Sequence, residues 1–131
     1  GKAPAGSSII WYGVHAFEML QRALGRGART VQTHKAAQGV ICVVQYEDSR
    51  RGVVELTANS YAYAGCLRNS EIAVPFAVAM DSIYAVQLSA ILSFFQSGMI
   101  PVAWEDTLEV MALLDAAERS LQSGIEEQVG S

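Results

Sequence analysis

His15 is the residue whose type best suits it to move a proton. An imidazole changes charge near neutral pH, so it can serve as general acid or base toward a hydroxyl or carbonyl. Trp11 stands one helical turn before it, and Glu18 and Arg22 one and two turns after. At that spacing all four share one side of a helix. Glu18 and Arg22 fit an ordinary i,i+4 ion pair. Trp11 and His15 do not fit a solvated face, where a large aromatic ring has nothing to pack on. This side reads as a surface to be covered by something outside the chain. By spacing alone, His15 also fits a histidine hydrogen-bonded at an interface.

The element that must position these residues is SIIWYGVHAFEMLQRALG, from Ser8 to Gly25. Ile10, Val14, Phe17, Leu20 and Leu24 recur at helical steps and predict its core stripe. Ser7 or Ser8 suits the N-cap, and Gly25 a left-handed stop. The segment 1–8 reads as a tag or linker.

Other chemistry is thinly represented. Gly25 and Gly27 hint at a dinucleotide-binding turn, but that turn must follow a strand and open a helix, and here the pair closes one. No cofactor-binding residues are therefore assigned in this chain. Cys42 and Cys66 are the two cysteines. Neither has a ligand partner at CxxC spacing, and both sit in apolar runs, which favours buried reduced thiols, with a disulfide between neighbouring strands as the alternative. Glu105, Asp106 and Glu109 crowd one helix turn without the converging ligands a hard cation needs, so no metal ligands are assigned. Tyr61 and Tyr63 alternate as sheet-packing residues, and His34 lies in a strand without a partner pattern.

The composition narrows the classes. The chain has 131 residues, 51% of them hydrophobic, and a formal charge of −4. That is enough for one domain with a core. Its nine basic residues are scattered, which argues against a nucleic-acid surface. No apolar run approaches the roughly 20 residues of a membrane helix, and the start lacks the apolar stretch of a signal peptide. A cytoplasmic location is expected.

After the first helix, strands are predicted over 29–34, 39–46, 52–58, 61–67 and 73–80. In GVICVVQY, Val40, Cys42, Val44 and Tyr46 point one way and Ile41 and Val43 the other, both apolar. Two helices close the chain. Tyr84, Leu88, Ile91 and Phe95 mark the core stripe of the first, which Asp81 or Ser82 caps. Trp104, Leu108, Met111, Leu114 and Leu121 mark the second, from Trp104 to Ser123. Residues 125–131 read as a short frayed tail. The expected fold is α+β, two-layered, with a mostly antiparallel open-faced sheet and helices on one face, in a single domain over 9–124. Strands apolar on both sides leave the other face to be covered, and a second copy is the simplest cover.

Three stretches carry a resemblance to a known family. They are Trp11-Tyr12-Gly13-Val14-His15 with Phe17, Met19 and Leu20; the hairpin YEDSRRGVVEL; and GMIPVAWEDTLEVMALLDAAERSLQSG, with Gly98, Pro101, Val102, Glu105, Asp106, Ala116, Ala117, Ser120 and Gly124. In this order and spacing they resemble the C-terminal domain of the Gfo/Idh/MocA oxidoreductases. The resemblance implies a substrate-binding and oligomerising domain of an NAD- or NADP-dependent dehydrogenase of a sugar or polyol-like small molecule. It implies an N-terminal Rossmann domain outside this chain, holding the cofactor. It implies that His15 is catalytic, as proton acceptor or orienter, with Trp11 and Tyr12 toward the substrate. It implies a homodimer or higher homo-oligomer through the sheet face, and inactivity of this chain by itself. Where many members carry an aspartate, four residues before the histidine, this sequence has Trp11, which can pack on a sugar but cannot hold a proton. The other class open to the residues is a stand-alone, non-catalytic binding or dimerisation module.

Overall fold

The structure, a computed structural model, describes residues 9–130; of residues 10–12 it describes the backbone only. In chain order the elements are α1 (Ile10–Leu24), β1 (Ala28–Ala36), β2 (Gly39–Tyr46), β3 (Arg51–Thr57), β4 (Ala64–Arg68), β5 (Ala73–Ala77), α2 (Ile83–Ser97), α3 (Trp104–Ser123) and β6 (Glu127–Gln128). They divide into two compact units: Tyr61–Ala103, and the rest. The fold is α+β, with mostly antiparallel open sheet. The run of strands is not one sheet, however, but a four-stranded sheet in the order β3-β2-β1-β6 and a separate pair, β4-β5.

In the larger unit, α1 and α3 pack on each other and on one face of the four-stranded sheet. The strand alternation explains this face. Val31 and Thr33 of β1, Cys42, Val44 and Tyr46 of β2, and Val54 of β3 are buried beneath the helices. Gln32, His34, Ile41, Val43, Gln45, Arg51, Val53 and Glu55 fall on the outer face, as the period of two requires. The pairing puts Gln32, Val43 and Val53 in one row across the three strands. Gly39 turns β1 into β2 at φ 145°, where a Cβ would lie 1.8 Å from the Leu56 carbonyl oxygen, so only glycine fits.

α3 presents an unexpected side to the core. Val110, Leu113, Leu114, Ala116, Ala117 and Ser120 are buried. Of the expected core stripe, Leu114 is buried and Leu121 packs against the core, whereas Trp104, Leu108 and Met111 are exposed. Small residues at 116, 117 and 120 let the helix backbone approach β1, and close approach decides the buried side more than residue size does. Ser120 makes the contact polar. Its hydroxyl accepts from the Thr33 amide at 2.8 Å and donates to the Ile125 carbonyl at 2.6 Å, while Thr33 Oγ1 donates to the Ala117 carbonyl at 2.9 Å. Ser120→Ala would leave a buried amide unsatisfied. The expected loss is about 1–3 kcal/mol, read as a lower denaturant midpoint at unchanged m-value.

The tail is not frayed. Glu127–Gln128 add to the sheet edge as β6, antiparallel to β1. Arg119 holds them there, with Nη1 2.6 Å from Glu127 and Nη2 2.7 Å from the Gln128 carbonyl.

In the unit Tyr61–Ala103, β4 and β5 pair with Gly65 opposite Phe76 and Cys66 opposite Pro75. The Asn69 side chain closes their turn by accepting from the amides of Glu71 and Ile72 at 2.9 Å each. α2 ends on Gly98 in the left-handed conformation and buries none of its residues. Tyr84, Leu88, Ile91 and Phe95, expected as a core stripe, are exposed. α2 is apolar around most of its girth, so spacing marks no inner side. Cys66 is exposed, contrary to the expectation of two buried thiols, whereas Cys42 is buried; both are free. No helix among the described residues is long and apolar enough to cross a membrane.

Candidate functional site

α1 turns one side to the core and the opposite side outward. Phe17 is fully buried and Gln21 nearly so, with Val14, Leu20 and Leu24 packed at the edges of this side. Gly13 lies where there is little room for a side chain. A Cβ there would lie 2.9 Å from Ile9 Cγ2, 3.2 Å from Leu56 Cδ1 and 3.3 Å from Leu114 Cδ2. His15 follows two residues later, about 200° around the helix, and so points away from the core. It is exposed, as are Glu18 and Arg22. The expected outer side is thus present at these three positions. Trp11 and Tyr12 belong to α1, but their side chains lie outside the described residues.

Both ends of α1 are tied to distant elements. The cap position is Ile9, which has no capping side chain; Ser7 and Ser8 lie outside the described residues. The Ile9 amide donates instead to Glu118 Oε2 at 3.0 Å. At the other end, Arg50 donates to the Leu24 carbonyl and, at 3.0 Å, to the Arg26 carbonyl. Asp106 of α3 accepts from Arg26 at 2.6 Å and from Gln21 at 3.2 Å. Glu109 accepts from the amides of Gly27 and Ala28 at 3.2 and 3.3 Å. The acidic first turn of α3 therefore clamps the α1–β1 turn. The Arg26 hydrogen bond holds the Asp106 carboxyl below the usual carboxylate range. These ties set the angle at which α1 carries His15.

Beneath the clamp lies Tyr46. The Arg50 guanidinium sits 4.9 Å from its ring centroid. Among the described residues, the Tyr46 hydroxyl and Gln21 Oε1 find no hydrogen-bond partner, although both are buried. Burial, followed by the charge of Glu109, pushes the phenol from about 10 up to about 12, with Arg50 pulling the other way. The folded chain therefore keeps the proton that the unfolded chain loses above pH 10, and stability falls as pH rises from 10 to 12. The expected slope approaches 1.4 kcal/mol per pH unit. Thermal midpoints measured across that range should drop less steeply in Tyr46→Phe than in the wild type.

At the outward side, Nδ1 of His15 lies 3.2 Å from Oε2 of Glu18. Their side chains are 64% and 57% exposed, so the pair adds little to stability. The ion pair with Arg22 that the spacing suggested is not formed among the described residues; Glu18 pairs with His15 instead. The helix thus brings an imidazole and a carboxylate together on an accessible surface, a pairing able to accept and pass on one proton. Neither Glu18's role beside His15 nor the clamp through Arg50, Asp106 and Glu109 was anticipated. The three-residue step from His15 to Glu18 carried the first signal, while the clamp joins residues too far apart in sequence for periodicity to show.

No protein-family model matches the chain, and no curated protein sequence does. Among solved structures its fold is shared by a crystal structure from Desulfitobacterium hafniense described as a "putative NADPH-dependent oxidoreductase". It aligns with a TM-score of 0.66 at 14% identity. The alignment takes in 97% of this chain and 49% of that one. The chain thus spans about half the length of its neighbour.

Proposed function

We propose that this chain is the substrate-binding and oligomerising half of a nicotinamide-dependent oxidoreductase of the Gfo/Idh/MocA type. Its substrate would be a sugar or polyol-like molecule. The observation that carries the reading is the alignment of nearly the whole chain with half of an oxidoreductase, leaving room in that neighbour for a second domain. The exposed His15 supports it. In this reading the outward side of α1 turns to the cleft, and His15 takes the hydroxyl proton as hydride leaves the carbon for the nicotinamide. Trp11 and Tyr12 contact the substrate. The coenzyme, NAD or NADP, is held by a Rossmann domain preceding this chain.

Calorimetry tests the reading. The longer protein is expected to bind NADPH or NADH with micromolar affinity, and the 131-residue chain to bind neither. Coenzyme binding by this chain alone would refute the division of labour. A native protein without a coenzyme domain would leave a non-catalytic module.

The second proposed partner is another copy, across the outer face of the four-stranded sheet. Ile41, Val43 and Val53 form its apolar centre, with Arg51 toward one end and Glu55 and His34 toward the other. Val53 is 58% exposed. A face with an apolar middle and opposite charges at its two ends complements itself when turned end for end.

A further inference from the structure

Tyr84, Leu88, Ile91 and Phe95 share one side of α2 and read alike from either end: aromatic, aliphatic, aliphatic, aromatic, at steps of four, three and four. That is the seam spacing of helices that pack on one another. The four are between 44% and 78% exposed, and α2 buries none of its residues. No charged residue stands between Asp81 and Glu105. A helix so apolar needs a cover. Its length, about 22 Å, falls short of the roughly 30 Å of a bilayer core, and it carries no basic residue to hold a membrane surface. We propose that α2 pairs with α2 of a second copy, antiparallel about a two-fold axis. An axis at the level of Ser89 and Ala90 lays Tyr84 of each copy on Phe95 of the other, and Leu88 on Ile91. Together with Leu92, Met99 and Ile100, these side chains leave on the order of 800 Å² uncovered per copy, about the share each partner brings to a stable interface. A further domain of the same chain fits less well. Contacts between domains are more polar than this surface, and nothing in them asks for a stripe that repeats when turned end for end. The pairing is separate from the sheet-face dimer, and the two contacts together would join four copies on crossing two-fold axes.

Val43→Asp removes the sheet-face contact and so isolates this one. The Val43→Asp chain is expected to sediment as a dimer, under reducing conditions that keep the exposed Cys66 free. Adding Leu88→Glu sets an unpaired carboxylate against Ile91 on each side of the axis. It should weaken the pair on the order of a hundredfold or more in Kd. Adding Ile91→Lys to that chain brings opposite charges face to face across the axis and should recover much of the loss. The hydrophobic core lies wholly in the other unit, so a cooperative thermal transition should persist in all three chains. A folded Val43→Asp chain that stays monomeric at high concentration would overturn the proposal. Protection of its α2 amides from exchange only in the longer protein would then make the further domain the cover, and protection only on lipid vesicles a membrane. A dimer indifferent to Leu88→Glu, or one that Ile91→Lys weakens further, would overturn the pairing of Leu88 with Ile91 and with it the antiparallel contact.

Discussion

His15→Asn is expected to lower kcat of the proposed two-domain enzyme about 100- to 10,000-fold, the usual worth of a general base. Asparagine keeps a hydrogen-bonding group of similar reach but cannot take up a proton, so substrate binding should survive while the chemical step fails. KM should therefore change far less than kcat. The fold should not notice. His15 is 64% exposed, and the packing that fixes α1 runs through Gly13, Phe17 and Gln21 on the other side. Steady-state kinetics on the true substrate, with thermal melts of both proteins, separate the two effects. If kcat stays within a few-fold of wild type, His15 is not the base, and a histidine serving an interface becomes the better account.

Much of the fold was legible because local signals and tertiary packing agree. β2 covers 39–46 as its β-branched run predicts, and α3 runs from Trp104 to Ser123, between a proline-broken turn and a glycine. The alternation of β2 correctly separated Cys42 and Val44 from Ile41 and Val43. The failures in α2 and α3 share one cause. Periodicity says which residues share a face, but not what that face touches. α2 has a plausible stripe at Tyr84, Leu88, Ile91 and Phe95, and every one is exposed. In α3 the large residues Trp104, Leu108 and Met111 competed for the core with Ala116, Ala117 and Ser120, and the smaller set won where a strand had to come close. β6 is too short and polar to announce itself; Arg119 and one side of β1 create it.

The candidate site shows the same division. The outward placement of His15 followed from spacing alone. The partner of Glu18 did not, since an acid three residues after a histidine and four before an arginine has two claims on it, and solvent-exposed side chains choose by geometry. The clamp around Asp106 and Glu109 was hidden for a different reason. An acidic first turn is already explained by the helix dipole. Nothing in such a turn shows that its carboxylates also receive Arg26 and two backbone amides from a loop some eighty residues earlier.

Val43→Asp is expected to split the proposed dimer. Val43 lies in the row with Gln32 and Val53, at the middle of the outer face. A two-fold axis along that row, crossing the strands, reverses the strand direction of the second copy. Arg51 and Glu55 stand two residues to either side of Val53, so the axis lays Arg51 of each copy over Glu55 of the other. It also lays Val43 near its own copy, where two aspartates would face each other in the driest part of the interface. Like charges so placed cost several kcal/mol, on the order of a thousandfold or more in Kd. The chain itself should stay folded, because Val43 points away from the helices. Val44→Asp, one residue along and fully buried, should instead unfold it. Sedimentation equilibrium reads the association and circular dichroism the fold. The end-for-end geometry has its own check: Arg51→Glu should weaken the dimer, and adding Glu55→Arg in the same chain should restore it, since the exchanged charges face each other again. A wild type that stays monomeric at high concentration, or a double variant no tighter than Arg51→Glu alone, would mean that something other than a second copy covers this face.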